Sequence, residues 1–203
     1  MTSRLGNRLL DLTMLSDVPL DGIRMPGNAG PLGLYVHIPF CIRKCNYCDF
    51  NSYAGHAELH GPYVAALVLE IQMQGELLAH PRVDTIYIGG GTPTVLSPGS
   101  LGQALEAIRE CFKVDPDAEV TTEANPGTVD SPSLTHLHQQ GINRLSLGTQ
   151  SLDDTELTLL GRIHTSSQTL AAVASARSAN FSNLNLDLIY GLPDQSVASW
   201  LTT

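Results

Sequence analysis

Residues 35–48 read Tyr35-Val36-His37-Ile38-Pro39-Phe40-Cys41-Ile42-Arg43-Lys44-Cys45-Asn46-Tyr47-Cys48. An apolar run ends there on a loop whose cysteines are spaced C-x3-C-x2-C. Three thiols on so short a loop are too close together for a disulfide framework. They suit one face of a metal cluster instead. A cluster with four corners and three protein ligands leaves one iron open to another group. That pattern points to a redox or radical enzyme, or to a descendant of one. The residues before the loop read as a strand, Leu34–Ile38, so the thiols sit at a strand's carboxyl end.

The rival reading of the triad is structural zinc, which takes four ligands, with His37, His56 or His60 as the fourth. Zinc sites usually pair two C-x2-C knuckles, and this chain has one. Cys111 lies in a helical stretch, 101–112, and reads as a small buried hydrophobe.

The chain has 203 residues, 42% of them hydrophobic and 15% charged, which suits one domain with a sizeable core. Its net charge of −9, with 11 Lys and Arg against 20 Asp and Glu, makes a nucleic-acid backbone an unsuitable partner. No apolar run reaches membrane-spanning length. Free cysteines fit a reducing compartment, the cytoplasm. Residues 1–33 lack a signal-peptide core, and Asp11, Asp17 and Asp21 disfavour a mitochondrial transit peptide. They read as a mobile N-terminal extension ahead of a domain spanning 34–203.

Strand-like runs then alternate with helical ones. Strands are expected at 34–38, 85–89, 119–124, 144–148 and 183–190. Helices are expected at 62–79, 98–112, 131–140, 153–160 and 166–179, with another from Gln195 onward. This alternation predicts an α/β fold with a parallel sheet and helical crossovers. Thr203 falls inside the last expected helix with no capping residue, so the chain reads as a fragment that stops after the fifth strand.

The unusual residues all follow strands. The cysteines come after the first, Gly89-Gly90-Gly91-Thr92-Pro93 after the second, and Glu123 and Asn125 at the end of the third. Gln150 follows the fourth, and Asp187 lies late in the fifth. In a parallel sheet or barrel that rim is where ligands bind. A glycine run is often a mere tight turn, but it also lets a ligand approach the backbone. Glu123 and Asp187 suit an ammonium group or ribose hydroxyls. Arg162 suits a ligand carboxylate, matched by its guanidinium fork. His37 and His164 read as structural. No nucleophile-elbow context surrounds any serine, which argues against a hydrolase.

These residues together resemble the radical S-adenosylmethionine (SAM) superfamily, in which three cysteines hold a 4Fe–4S cluster. The resemblance implies that the open iron chelates SAM, whose reductive cleavage yields a deoxyadenosyl radical. It narrows through Tyr35–Cys41, Gly89-Gly90-Gly91-Thr92-Pro93-Thr94, Glu123-Ala124-Asn125-Pro126, Asn143–Gly148 and Asp187–Pro193. These look like the oxygen-independent coproporphyrinogen III oxidase branch and its HemW-type heme-chaperone relatives.

The fold implied is a partial (β/α)6 TIM-like barrel. The implied cluster ligands are Cys41, Cys45 and Cys48. Tyr35 and Tyr47 resemble residues flanking cluster and SAM. Gly90, Gly91 and Thr92 resemble the turn that holds the methionyl group. Glu123, Gln150, Arg162 and Asp187 resemble the remaining SAM-site residues. The oxidase pattern carries a fourth cysteine two residues after the third, where this chain has Phe50. The form with phenylalanine resembles the heme chaperones, which bind heme as cargo and pass it to acceptor proteins. The resemblance also implies an electron donor. Its alternative implication is an oxidoreductase acting on coproporphyrinogen III.

Overall fold

A computed structural model of the chain describes residues 30–203. Strand β1 (Leu32–Ile38) leads into two short strands, β2 (Phe40–Cys41) and β3 (Tyr53–Ala54), which pair with each other across the cysteine loop. Then follow α1 (His60–Leu77), β4 (Arg82–Gly90), α2 (Pro98–Cys111), β5 (Lys113–Ala124), α3 (Ser131–Gln139) and β6 (Arg144–Gln150). The described residues end with α4 (Asp154–Leu159), α5 (Ser166–Ser178), β7 (Asn183–Leu188) and α6 (Val197–Trp200).

The five long strands form one all-parallel sheet in the order β1-β4-β5-β6-β7. Each strand adds beside the last, without the reversal of a doubly wound sheet. This is the winding of a (β/α) barrel. Right-handed crossovers in one direction carry the helices to one face, where α1 packs on α2 and α3 on α5.

Strand alternation then sorts the side chains. Val36, Ile38, Ile86, Ile88, Leu145 and Leu147 face the helices and are buried. Burying each contributes about 1.5–3 kcal/mol. The alternate positions, among them Tyr87, Thr121, Glu123, Ser146 and Asp187, form a polar opposite face. A closed barrel usually packs that face with branched apolar residues; here it is hydrogen-bonded and ligand-ready. Helix starts are fixed by side-chain caps: Ser97, Asp130, Asp153 and Thr165 each accept from a backbone N–H of the first turn.

Apart from the short β2–β3 pair, which the sequence reading did not include, the element order matches it, and the other differences lie at element ends. Leu32 and Gly33, assigned to the extension by sequence, already pair with β4; the rest of the expected extension falls almost wholly outside the described residues. β5 begins at Lys113, six residues before the start expected from sequence. Arg82 explains this by clamping Asp115 with two bonds, Nε–Oδ1 at 2.6 Å and Nη2–Oδ2 at 2.7 Å, while Lys113 and Val114 pair with β4. β7 stops at Leu188, which leaves Tyr190 outside the strand and 77% exposed. The last helix spans only Val197–Trp200.

Candidate functional site

The cysteine loop leaves β1 and is tied down at several points. The Thr92 amide donates to Phe40 O (2.7 Å) and the Gly91 amide to Ile38 O (2.8 Å), stitching the glycine turn to the start of the loop. Across the site, Asn46 binds the end of α4: its backbone N–H reaches Leu160 O (3.0 Å) and Nδ2 reaches Leu159 O (2.9 Å). The Cys48 amide donates to Cys45 O (3.2 Å), which folds the C-x2-C portion into a turn. Cys41, Cys45 and Cys48 are free, partly exposed thiols facing one cavity of about 120 Å³.

The glycine turn crosses close to the loop. A Cβ on Gly91 would stand 2.5 Å from Phe40 O and 3.0 Å from Cys41 Sγ, so only glycine fits. Gly90 has φ +117° and sits against the His37 ring. Its amide donates to Glu123 Oε2 (3.0 Å), while Tyr87 Oη donates to Glu123 Oε1 (2.6 Å). Both carboxylate oxygens are thereby oriented at the strand end. Burial, and then the bond to Glu123, push the Tyr87 phenol well above its usual range, so Tyr87 stays a neutral donor. Tyr87 was not legible as a site residue, because a tyrosine inside a strand reads as packing.

Arg162 closes the other side. Its Nη1 donates to Cys45 Sγ (3.4 Å) and Tyr47 Oη (3.5 Å), and its Nη2 to Gly148 O (2.5 Å). Its Nε is buried with no hydrogen-bond partner among the described residues. A guanidinium so held is short of an acceptor, and Arg162 is among the residues lining the cavity. Burial pushes the Tyr47 phenol up to about 12, with the nearby Arg162 partly offsetting the shift. Gln150 ends β6 with φ 67°, a left-handed backbone that a non-glycine residue holds at a cost of about 1–3 kcal/mol. Asp187 accepts from Ser146 Oγ (3.2 Å) and Asn185 Nδ2 (2.6 Å).

Eleven of the sequence-derived site residues line this cavity together: the three cysteines, Tyr47, Gly90, Gly91, Thr92, Glu123, Gln150, Arg162 and Asp187. Tyr35 does not. Its ring stacks on Tyr87 with centroids 6.2 Å apart, and its Oη meets His37 Nδ1 at 3.0 Å. The histidines considered for zinc are engaged elsewhere. His37 Nε2 meets Asn51 O (2.9 Å), His60 stacks on Phe40, and His56 pairs with Glu58 (3.4 Å). Among the described residues no three His, Cys, Asp or Glu side chains converge on a single-ion site. Phe50 is 68% exposed at the cavity's mouth. Cys111 lies against the core beside Gly75, half-buried.

His164, on the loop after α4, is buried between Asn125 Oδ1 (2.9 Å from Nδ1) and Thr149 O (3.2 Å from Nε2). Burial first, and then the Arg162 charge, lower its pKa to about 4. The folded state therefore keeps His164 neutral, while the unfolded chain takes up a proton near pH 6.5. Stability is full above about pH 6.5 and falls as pH drops toward about 4, by at most about 3 kcal/mol from this group. Urea unfolding of the protein and of His164→Gln at pH 7.5 and 5 checks this: the gap in pH dependence between them should be at least about 1 kcal/mol, and parallel curves would refute it.

The radical SAM superfamily profile matches residues 35–203. The chain belongs to the radical SAM superfamily. Within it, the similarity runs to the HemW type. The chain is 42% identical over 168 residues to the heme chaperone HemW of Escherichia coli (strain K12), covering 82% of this chain and 44% of that protein. It is 41% identical over 184 residues to heme chaperone HemW of Mycobacterium tuberculosis (strain ATCC 25618 / H37Rv), covering 88% and 46%. Among solved structures, coproporphyrinogen III oxidase (HemN) from Escherichia coli superposes with a TM-score of 0.79 at 36% identity, over 85% of this chain and 40% of that one. The chain thus spans less than half the length of each of these relatives. No described helix is long and apolar enough to cross a membrane.

Proposed function

We propose that this chain is the cofactor-holding half of a HemW-type heme chaperone. The observation that carries the reading is the meeting of three thiols, the glycine turn, Glu123 and Arg162 around one cavity. That donor set fits a thiolate-held 4Fe–4S cluster with an amino-acid ligand beside it. Cys41, Cys45 and Cys48 would hold the cluster. Gly90, Gly91 and Thr92 offer room and backbone groups to a methionyl chain. Glu123 and Asp187 suit ammonium and hydroxyl groups, Arg162 suits the carboxylate, and Gln150 and Tyr47 flank the site. When bound, the cluster supplies one-electron chemistry to SAM. Tyr35 supports the site from the neighbouring strand through His37 and Tyr87.

The heme assignment rests on the identity to proteins named heme chaperones and on Phe50. An arene cannot ligate or donate a proton where a thiol would. Heme is then cargo, and the partners are heme-accepting proteins and an electron donor. Free thiols suit a reducing compartment such as the cytoplasm. The second reading, oxidative decarboxylation of coproporphyrinogen III, draws on the structural likeness to the oxidase and is opposed by Phe50.

One preparation tests both. The full-length protein is reconstituted anaerobically with iron and sulfide, reduced, and followed by EPR with and without SAM. A cluster signal that changes with SAM is expected. A signal indifferent to SAM would overturn the roles given to Gly90, Glu123 and Arg162. Heme titration should then give stoichiometric binding, and coproporphyrinogen III with SAM should give no decarboxylated product. Turnover to that product would replace the chaperone reading with the oxidase.

A further inference from the structure

Each cysteine sulfur has a different polar side chain beside it. Thr92 Oγ1 approaches Cys41 Sγ at 3.7 Å, Arg162 Nη1 approaches Cys45 Sγ at 3.4 Å, and Ser52 Oγ stands 4.0 Å from Cys48 Sγ. Thr92 and Arg162 belong to the rim already described. Ser52 lines the same cavity with Lys44 but was not among the sequence-derived residues, and it is backed by a charge. Lys44 Nζ donates to Ser52 Oγ (3.0 Å), to Phe50 O (2.6 Å) and to Ser52 O (3.4 Å).

We propose that Ser52, polarised by Lys44, tunes the reduction potential of the cluster through Cys48. The inference rests on the reading of the three cysteines as its ligands. With Lys44 occupying a lone pair of the Ser52 hydroxyl, the hydroxyl proton points either to Phe50 O (3.4 Å) or to Cys48 Sγ. A thiolate is the stronger acceptor, since bonds to ionised groups are about twice as strong as neutral ones. The resulting line runs ammonium, hydroxyl, thiolate. Hydrogen bonds to ligand sulfurs stabilise the added electron and raise the potential. Lys44 is an exposed residue, so its direct field is screened by water. Ser52 is only 8% exposed, and its oriented dipole is not screened in that way. The two residues are thus positioning groups whose effect reaches the iron only through Cys48.

The test is an EPR-monitored redox titration of the reconstituted full-length protein, with dithionite as the one-electron reductant. Ser52→Ala should keep the iron and sulfide of the unsubstituted protein. At a fixed potential its ratio of reduced to oxidised cluster should fall about tenfold, a midpoint about 59 mV more negative for a one-electron couple. Lys44→Met should shift the same way, and Lys44→Arg should recover part of the shift. The double variant Lys44→Met/Ser52→Ala should move less than the sum of the two, because both act on one relay.

An unchanged midpoint in a fully loaded Ser52→Ala protein would overturn the inference and leave Lys44 as a staple of the loop. Additive shifts would also overturn the relay. If Lys44→Met fails to assemble, the Ser52→Ala midpoint still decides. Failure of the unsubstituted protein to bind iron and sulfide would instead bring down the ligand assignment itself, and the inference with it.

Discussion

Cys45→Ser is expected to abolish cluster assembly. The substitution changes one atom and leaves the loop's fold intact, because the loop is held by backbone bonds. The Asn46 amide still reaches Leu160 O and the Cys48 amide still reaches the carbonyl of residue 45. What is lost is the soft, ionisable ligand. Cysteine ionises near pH 8.5, within reach of the stabilising iron, whereas a serine hydroxyl does not ionise in this range and binds iron poorly in a sulfide cluster. Position 45 is also the sulfur to which Arg162 donates (3.4 Å), so the variant changes the ligand atom at the point where loop and rim meet. Iron and sulfide analysis after anaerobic reconstitution should find less than about a tenth of the unsubstituted content. Full retention in Cys45→Ser would sink the assignment. The loss should also exceed that of removing Cys111, which lies against the core and does not line the cavity.

Gly90→Ala is expected to be the most damaging single-methyl change at the rim. Gly90 holds φ +117°, a region that L side chains rarely enter. The added Cβ would also stand 2.5 Å from the His37 ring, which is fixed between Tyr35 Oη and Asn51 O. Relief requires the turn to move, and the turn carries the Gly90 amide that orients Glu123 (3.0 Å). Backbone strain alone costs about 1–3 kcal/mol. A loss of about 2–4 kcal/mol in stability by urea unfolding is expected, with SAM affinity lower by at least about tenfold in binding measurements on the reconstituted protein. A variant with unchanged stability and SAM affinity would show that the turn is slack and that its contact with Glu123 carries nothing.

Local pattern reached far into this chain. The interval from β1 to β7 was readable because its strands carry apolar runs, as in β1 and β4, or polar–apolar alternation, as in β6 and β7, and most of its helices a capping residue, as at Ser97, Asp130 and Thr165. The site residues were readable because a parallel sheet sends every strand's carboxyl end to one rim. Eleven of the twelve residues do share a cavity. What stayed hidden depends on contacts distant in sequence. Tyr87 orients Glu123 across 36 positions, and Asn46 meets Leu159 across 113. β3 is two residues long and exists because β2 lies beside it. Tyr35 carries the right residue type in the right motif. Strand alternation puts it on the sheet's polar face, but its ring rests on Tyr87 and its Oη on His37, outside the cavity's lining.

The sequence by itself determined the order of the long strands and helices, the three thiols on the C-x3-C-x2-C loop and the end of the sheet at which the candidate residues gather. These follow from short-range rules of periodicity, turn chemistry and thiolate softness, which act within a few residues. Only the tertiary structure decided which polar group faces which sulfur, that Arg162 Nε has no partner among the described residues, and that Ser52 stands between Lys44 and Cys48. The reason is physical: hydrogen bonds are set by ångström-scale distance and direction, and those distances are fixed by packing between segments that the sequence places far apart.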